Sequence, residues 1–166
     1  MKRFLLLMVG ILLALVVAAP MVLAQPNGGK PTNVDETPID LDSGAVFGKC
    51  DDPISLVYSG KAKTLQLPGG RFIFASPELT ATLTNVESGE QERVAITGAF
   101  HQTTLENGDI VTEATGRNLL GDPKAGFVIA VGNFSYVFDA EGNLIQPLEG
   151  EGQLIDVCEL LGAYDK

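Results

Sequence analysis

Residues 79–84 read Leu79-Thr80-Ala81-Thr82-Leu83-Thr84. Apolar and hydroxyl side chains alternate without a slip. Leu79, Ala81 and Leu83 therefore share one face, and the three threonines share the other. A period of two marks a strand with one buried side. Residues 93–100 repeat the pattern, with Val94, Ile96 and Phe100 together and Gly98 between them. Segments 54–64, 71–76, 109–117, 127–138 and 143–148 read as strands less cleanly.

Turn chemistry separates these runs. Pro68-Gly69-Gly70 suits a type II turn, with proline fixing φ and glycine accepting positive φ. Ser88-Gly89 and Glu141-Gly142-Asn143 suit short hairpins, and Asn107-Gly108 is the strongest such signal. In 127–138, Phe127, Ile129 and Val131 have one parity, whereas Phe134, Tyr136 and Phe138 have the other. One extra residue near Gly132-Asn133 brings both sets to one face, so a β-bulge is expected there; the alternative is a strand buried on both sides. At the end, Asp156 can cap a single helical turn that Gly162 stops.

Short connections predict antiparallel neighbours in sequence order. The expected fold is all-β: a single antiparallel up-and-down barrel of about eight strands, with a β-sandwich as the alternative.

The chain's 166 residues suffice for one ordinary domain. Met1-Lys2-Arg3 precedes an apolar run from Phe4 to about Val17, and Val22-Leu23-Ala24 precedes Gln25. A basic start, an apolar stretch and small residues at −3 and −1 make residues 1–24 an expected signal peptide. The stretch from Phe4 to Ala24 is long enough to span a bilayer, which is the rival reading, but it holds Pro20 and ends in a good cleavage site. The mature protein is thus expected to be secreted, with no membrane attachment.

Residues 25–46 carry Pro26, Pro31, Pro38 and four acidic groups, with few large apolar side chains, and are expected to be a disordered acidic leader. A β domain is expected over 47–164. Cys50 and Cys158, the only cysteines, bracket nearly all of it. In an exported chain two thiols are most simply one disulfide joining the two terminal regions.

Without residues 1–24, nine basic groups face 21 acidic ones, a formal charge of −12. That argues against a nucleic-acid partner. A Cys/His zinc site cannot be assembled around one histidine, and Asp40 and Asp42 miss the EF-hand spacing. No cofactor and no metal site are expected, although calcium held by turn carboxylates stays open.

No Gly-x-Ser-x-Gly elbow and no P-loop appear. His101 lies on the parity opposite Phe100, the expected solvent face, with no activated Ser or Cys partner. Acid pairs such as Glu149/Glu151 and Asp139/Glu141 suit carboxylate hydrolysis only if folding brings them to the right separation. The stretch Arg117-Asn118-Leu119-Leu120-Gly121-Asp122-Pro123 reads as the longest connection in the domain. Arg117 and Asn118 would then present a cation and an amide at one end of the barrel. Leu119 and Leu120 would plug the core. Phe72, Phe74, Phe100 and Phe134 are the candidate lining of an apolar lumen.

Thr97-Gly98-Ala99-Phe100-His101, Asn107-Gly108-Asp109, Gly116-Arg117-Asn118-Leu119-Leu120 and the closing Gly152 … Asp156-Val157-Cys158 give the chain, over about 47–162, a further property. It resembles small exported all-β proteins, common in actinobacteria and similar bacteria, that have no assigned function. The resemblance implies bacterial export, one β domain and a disulfide, and it carries no catalytic residue. The expected function is a secreted, monomeric, non-enzymatic module binding an extracellular ligand or protein. The alternatives are a barrel holding a small apolar ligand or acting as an isomerase, and a carboxylate hydrolase.

Overall fold

The computed structural model describes residues 30–41 and 50–164. The expected signal peptide lies outside them, as do positions 25–29 and 42–46 of the expected leader. Eleven strands and one helical turn form among the described residues. The strands are β1 (Thr32–Asn33), β2 (Ile39–Leu41), β3 (Ile54–Ser59), β4 (Lys61–Leu67), β5 (Arg71–Ala75) and β6 (Thr80–Asn85). They continue as β7 (Gln91–Ala95), β8 (Ala99–Thr104), β9 (Ile110–Asp122), β10 (Gly126–Phe138) and β11 (Leu144–Asp156), before helix α1 (Val157–Leu160).

The fold is all-β, with two antiparallel sheets. A large sheet runs β1-β4-β5-β8-β9-β10-β11 and a small one β2-β3-β6-β7. No closed barrel forms among the described residues, and the expected meander is replaced by a chain that changes sheets. The segment expected as one strand over 54–64 is cut at Gly60, with β3 in the small sheet and β4 in the large. Gly60 has a φ of 108°, and a Cβ there would run into the Glu78 carbonyl. The stretch 93–100 is divided likewise at Ile96-Thr97-Gly98. Period-two patterning cannot show such a crossing, because both halves keep their alternation.

The leader is partly seated. β1 pairs with Lys61–Ala62, and β2 pairs with Ile54–Leu56. Ile39 and Leu41 alternate around Asp40, and Leu41 is buried in the core. This correction has a simple cause: two large apolar side chains on one face are enough to dock a three-residue strand beside an existing one.

The bulge expectation at Gly132-Asn133 is also corrected. Register between β9 and β10 runs unbroken from Gly126↔Asp122 to Phe138↔Ile110. The irregularity lies further on, against β11, between Ser135 and Phe138. The first half of β10 is instead buried on both faces. Phe127 and Ile129 face the small sheet, where Ile54, Leu56, Ala81 and Leu83 pack around them and the disulfide. Val128 and Ala130 face the other way, into a second core with Leu120, Ala114, Phe134 and Tyr136.

That second core requires a fold in the sheet. A straight strand would separate positions 128 and 136 by about 26 Å. Here Val128 and Tyr136 share one cluster. The bend follows a line of glycines across three strands and the residue before β8: Gly98 lies beside Gly116, Gly116 opposite Gly132, and Gly132 opposite Gly152. At Gly132 φ is 147°, and a Cβ would meet the Glu151 carbonyl and the Gly152 Cα. Without side chains on this line the strands can coil sharply and close over their own apolar face.

The termini meet at one corner. Cys50 and Cys158 are joined, 108 residues apart. The Asp51 and Asp52 amides donate to the Ala163 carbonyl. Asp156 ends β11 and caps α1, accepting from the amides of Cys158 and Glu159. The expected disulfide and the capped terminal turn both form.

Candidate functional site

An open cleft of about 400 Å3 lies on the outer side of the bend. Its floor is one cross-strand row: Lys63 opposite Ala75, Ala75 opposite Ala99, and Ala99 opposite Thr115. Gly98 and Gly116 extend the floor as bare backbone, and Pro31 and Pro77 form walls. Three features keep it open. The floor carries nothing larger than threonine beyond Lys63. Asn118 fills the space behind Gly98 from the inner face, so a Cβ on Gly98 would collide with it. Ser76 holds the rim, its hydroxyl lying 2.8 Å from the Ile96 carbonyl and 2.9 Å from that of Gly98. That hydroxyl is committed to backbone and is not a free nucleophile.

The surface of the cleft is mostly apolar, and among the described residues Lys63 is its only charged lining group. The nearby Lys61 is neutralised by Glu78 at 3.1 Å. Such a site can hold an apolar body and attract an anionic group. It has no acid–base pair with which to turn a substrate over.

His101 lines a second, smaller cleft of about 200 Å3 with Arg71 and Glu113. It is half-buried and faces away from Phe100, as its parity predicts. Across the sheet the row reads Ile73, His101, Glu113, Ser135. A serine relay needs the histidine next to the serine. Here Glu113 stands between them, and two strand spacings put His101 and Ser135 about 10 Å apart. The Ser135 hydroxyl lies against Gln146 Nε2 instead, at 3.5 Å.

Arg117 and Asn118 are not in a loop. They lie inside β9, and the connection is the short turn after Asp122. Glycine, asparagine, aspartate and proline in close succession imitate a loop, yet the run Arg117–Asp122 pairs fully with Gly126–Val131. The two side chains point to opposite faces, so they form no joint site. Asn118 is buried and donates to the Thr115 carbonyl at 3.0 Å. The Arg117 Nε is buried, with no hydrogen-bond partner among the described residues. Leu119 and Leu120 do enter the interior, one in each core.

The four phenylalanines share the inner face. Phe74, Phe100, Ala114 and Phe134 form one row across the sheet, and Phe72 lies in the next row, opposite Gln102. Phe74 and Phe100 are 6.3 Å apart between ring centroids. Phe100 and Phe134 pack into the second core with Val128 and Tyr136. Of the four, only Phe72 touches either cleft. The cleft residues Lys63, Ala75, Ala99 and Thr115 are not marked in the sequence, because small side chains carry no packing signal of their own. Their signal is the opposite parity of the same strands, where Ala75 and Ala99 leave a face bare.

The turn carboxylates are taken up locally. Asp139 accepts from Asn143 Nδ2 and from the amides of Asn143 and Glu141. Those bonds, Asn143 first, hold its carboxyl below the usual range. Asp52 accepts from Asn85 Nδ2. Among the described residues no three His, Cys, Asp or Glu side chains converge as a metal site. Compared with family models, characterised proteins and solved structures, the chain matches none of them.

Proposed function

We propose that this chain is an exported, non-catalytic binding domain whose outer cleft holds a small amphipathic carboxylate. One observation carries the reading: a floor of Ala75, Ala99, Thr115, Gly98 and Gly116 between two prolines, with the unneutralised Lys63 at one end. A volume of about 400 Å3 lies within the ~300–1,000 Å3 usual for small-ligand sites. Export is supported by the signal-like N-terminus and by a disulfide, which persists in oxidising compartments. The non-catalytic part rests on Ser76 being bonded to backbone and on Glu113 separating His101 from Ser135.

Dodecanoate is a suitable probe, followed by calorimetry and by displacement of the fluorescent sulfonate 8-anilinonaphthalene-1-sulfonate. Ala99→Phe fills the floor and Lys63→Glu reverses the end charge. Each is expected to weaken dodecanoate binding at least about tenfold, or 1.4 kcal/mol, with an unchanged unfolding midpoint. Equal binding by wild type and Ala99→Phe would remove the cleft from consideration.

A further inference from the structure

We propose that the free edge of β11, between Leu148 and Asp156, receives an extended basic segment of another protein as an added strand. β11 is the last strand of the large sheet and pairs only with β10 among the described residues. The exposed stretch is bounded by two anchored residues. The Leu148 amide donates to Asp122 Oδ2, and Asp156 is taken up by the helix cap and by the Tyr164 hydroxyl at 2.6 Å. Between these ends, Glu149, Gly150, Glu151, Gly152, Gln153 and Leu154 are all exposed. No other strand of this structure has six exposed residues in a row. An unpaired edge presents backbone donors and acceptors that an incoming strand can satisfy.

The side chains along this edge select the partner. Glu149 and Glu151 stand on one face, and their cross-strand neighbours, Ser135 and Asn133, are uncharged. Neither carboxylate has an ion-pair partner among the described residues, where the one ion pair is Lys61–Glu78. Leu154, on the opposite parity, is 43 % exposed. A strand with Lys or Arg at alternate positions and apolar residues between them answers both faces, since opposite charges directly across a strand pair attract. A second copy of this chain is a poor occupant. An antiparallel self-pair centred on Gly150 sets Glu149 of each copy against Glu151 of the other, and like charges directly opposite repel. The proposal is independent of the outer cleft, which uses none of these residues.

The test uses the disulfide-bonded protein and two synthetic peptides, acetyl-Lys-Val-Lys-Val-Lys-Val-amide and its twin with N-methylated valines. The twin keeps charge and shape but cannot complete the strand ladder. Calorimetry at about 0.15 M salt, where exposed charges beyond ~8 Å are screened, should show binding of the first peptide. The twin should bind at least about tenfold more weakly. Amide exchange should slow over residues 149–154 on binding. The Glu149→Lys/Glu151→Lys variant should lose the peptide while keeping its unfolding midpoint. Failure of the first peptide to bind, equal binding of both, or an unaffected double variant each overturns the proposal. Concentration-dependent dimers that protect residues 149–154 would overturn it in favour of a second copy.

Discussion

Asp122 Oδ2 accepts a 2.8 Å hydrogen bond from the backbone amide of Leu148, 26 residues further along the chain. Its other oxygen accepts from the amides of Lys124 and Ala125, at 2.8 and 2.7 Å. One buried carboxylate thus closes the β9–β10 turn and fastens the start of β11 over it. It holds the folded sheet shut at the point where Pro147 and Leu148 leave regular pairing with β10.

Asp122→Ala is expected to cost about 3 kcal/mol, because hydrogen bonds to a charged group are worth ~1.5–3 kcal/mol and three part-buried amides lose their acceptor. Asp122→Asn should fall between. Its oxygen can serve the turn amides, but its NH2 would then face the Leu148 amide donor to donor. Urea unfolding checks this, with the midpoint falling and the slope unchanged.

Gly132 sits where the large sheet bends, and Gly142 sits in the exposed β10–β11 hairpin. Both have positive φ, 147° and 85°. A Cβ on Gly142 meets nothing within 4 Å, whereas one on Gly132 meets the backbone of Glu151 and Gly152. Gly142→Ala should therefore cost only the left-handed penalty, about 1–2 kcal/mol. Gly132→Ala must also push two strands apart and is expected to cost more than about 3 kcal/mol, or to prevent folding. Equal midpoints for the two variants would refute the bend as a glycine-dependent feature.

The elements legible in the sequence are those with one wet face. Leu79 to Thr84 and the hairpins at Asn107-Gly108 and Gly142 need only local alternation and turn residues. The β9–β10 pair was misread for a physical reason. Gly126 to Ala130 is buried throughout and Arg117 to Asp122 has no exposed face, so wet–dry alternation vanishes and the glycines look like turns. The cleft was hidden likewise, because Ala75 and Ala99 signal a site only once β5 and β8 are known to be adjacent. Pairing across a sheet crossing is long-range information that no single strand carries.

Asn85 is fully buried where the disulfide corner meets the β6–β7 turn. Its Nδ2 donates to Asp52 and to the Leu161 carbonyl, while its Oδ1 accepts from the amides of Glu87 and Ser88. Replacing both cysteines by alanine releases a loop of 108 residues, worth up to about 4–5 kcal/mol in the chain-entropy model. Asn85→Ala strands two carbonyl-seeking amides and a carboxylate and should cost about 2–3 kcal/mol. The two changes act on one corner, so a double-mutant cycle should show coupling above about 0.5 kcal/mol. Strict additivity would mean that the disulfide and the Asn85 network stabilise separate units.

Tyr136 supplies the pH dependence. It lies in the second core beside Thr112, and burial pushes its hydroxyl up to about 12. An unfolded tyrosine ionises near 10. The folded value is the higher one, so the stabilisation is fully present below pH 10. It is lost as pH rises from about 10 through 12, where the unfolded chain releases its proton first. Two pK units correspond to about 2–3 kcal/mol. Tyr58, pushed up to about 12 by burial, acts in the same direction. Tyr164 owes its rise to the Asp156 carboxylate it bonds at an exposed site and adds little. Chemical denaturation at pH 8, 10 and 11.5 should show stability flat over the first interval and falling over the second. Tyr136→Phe, which has no proton to lose, should remove about 1.5 kcal/mol of that fall. A variant that declines as steeply as wild type would show that the Tyr136 hydroxyl reaches water in the folded protein.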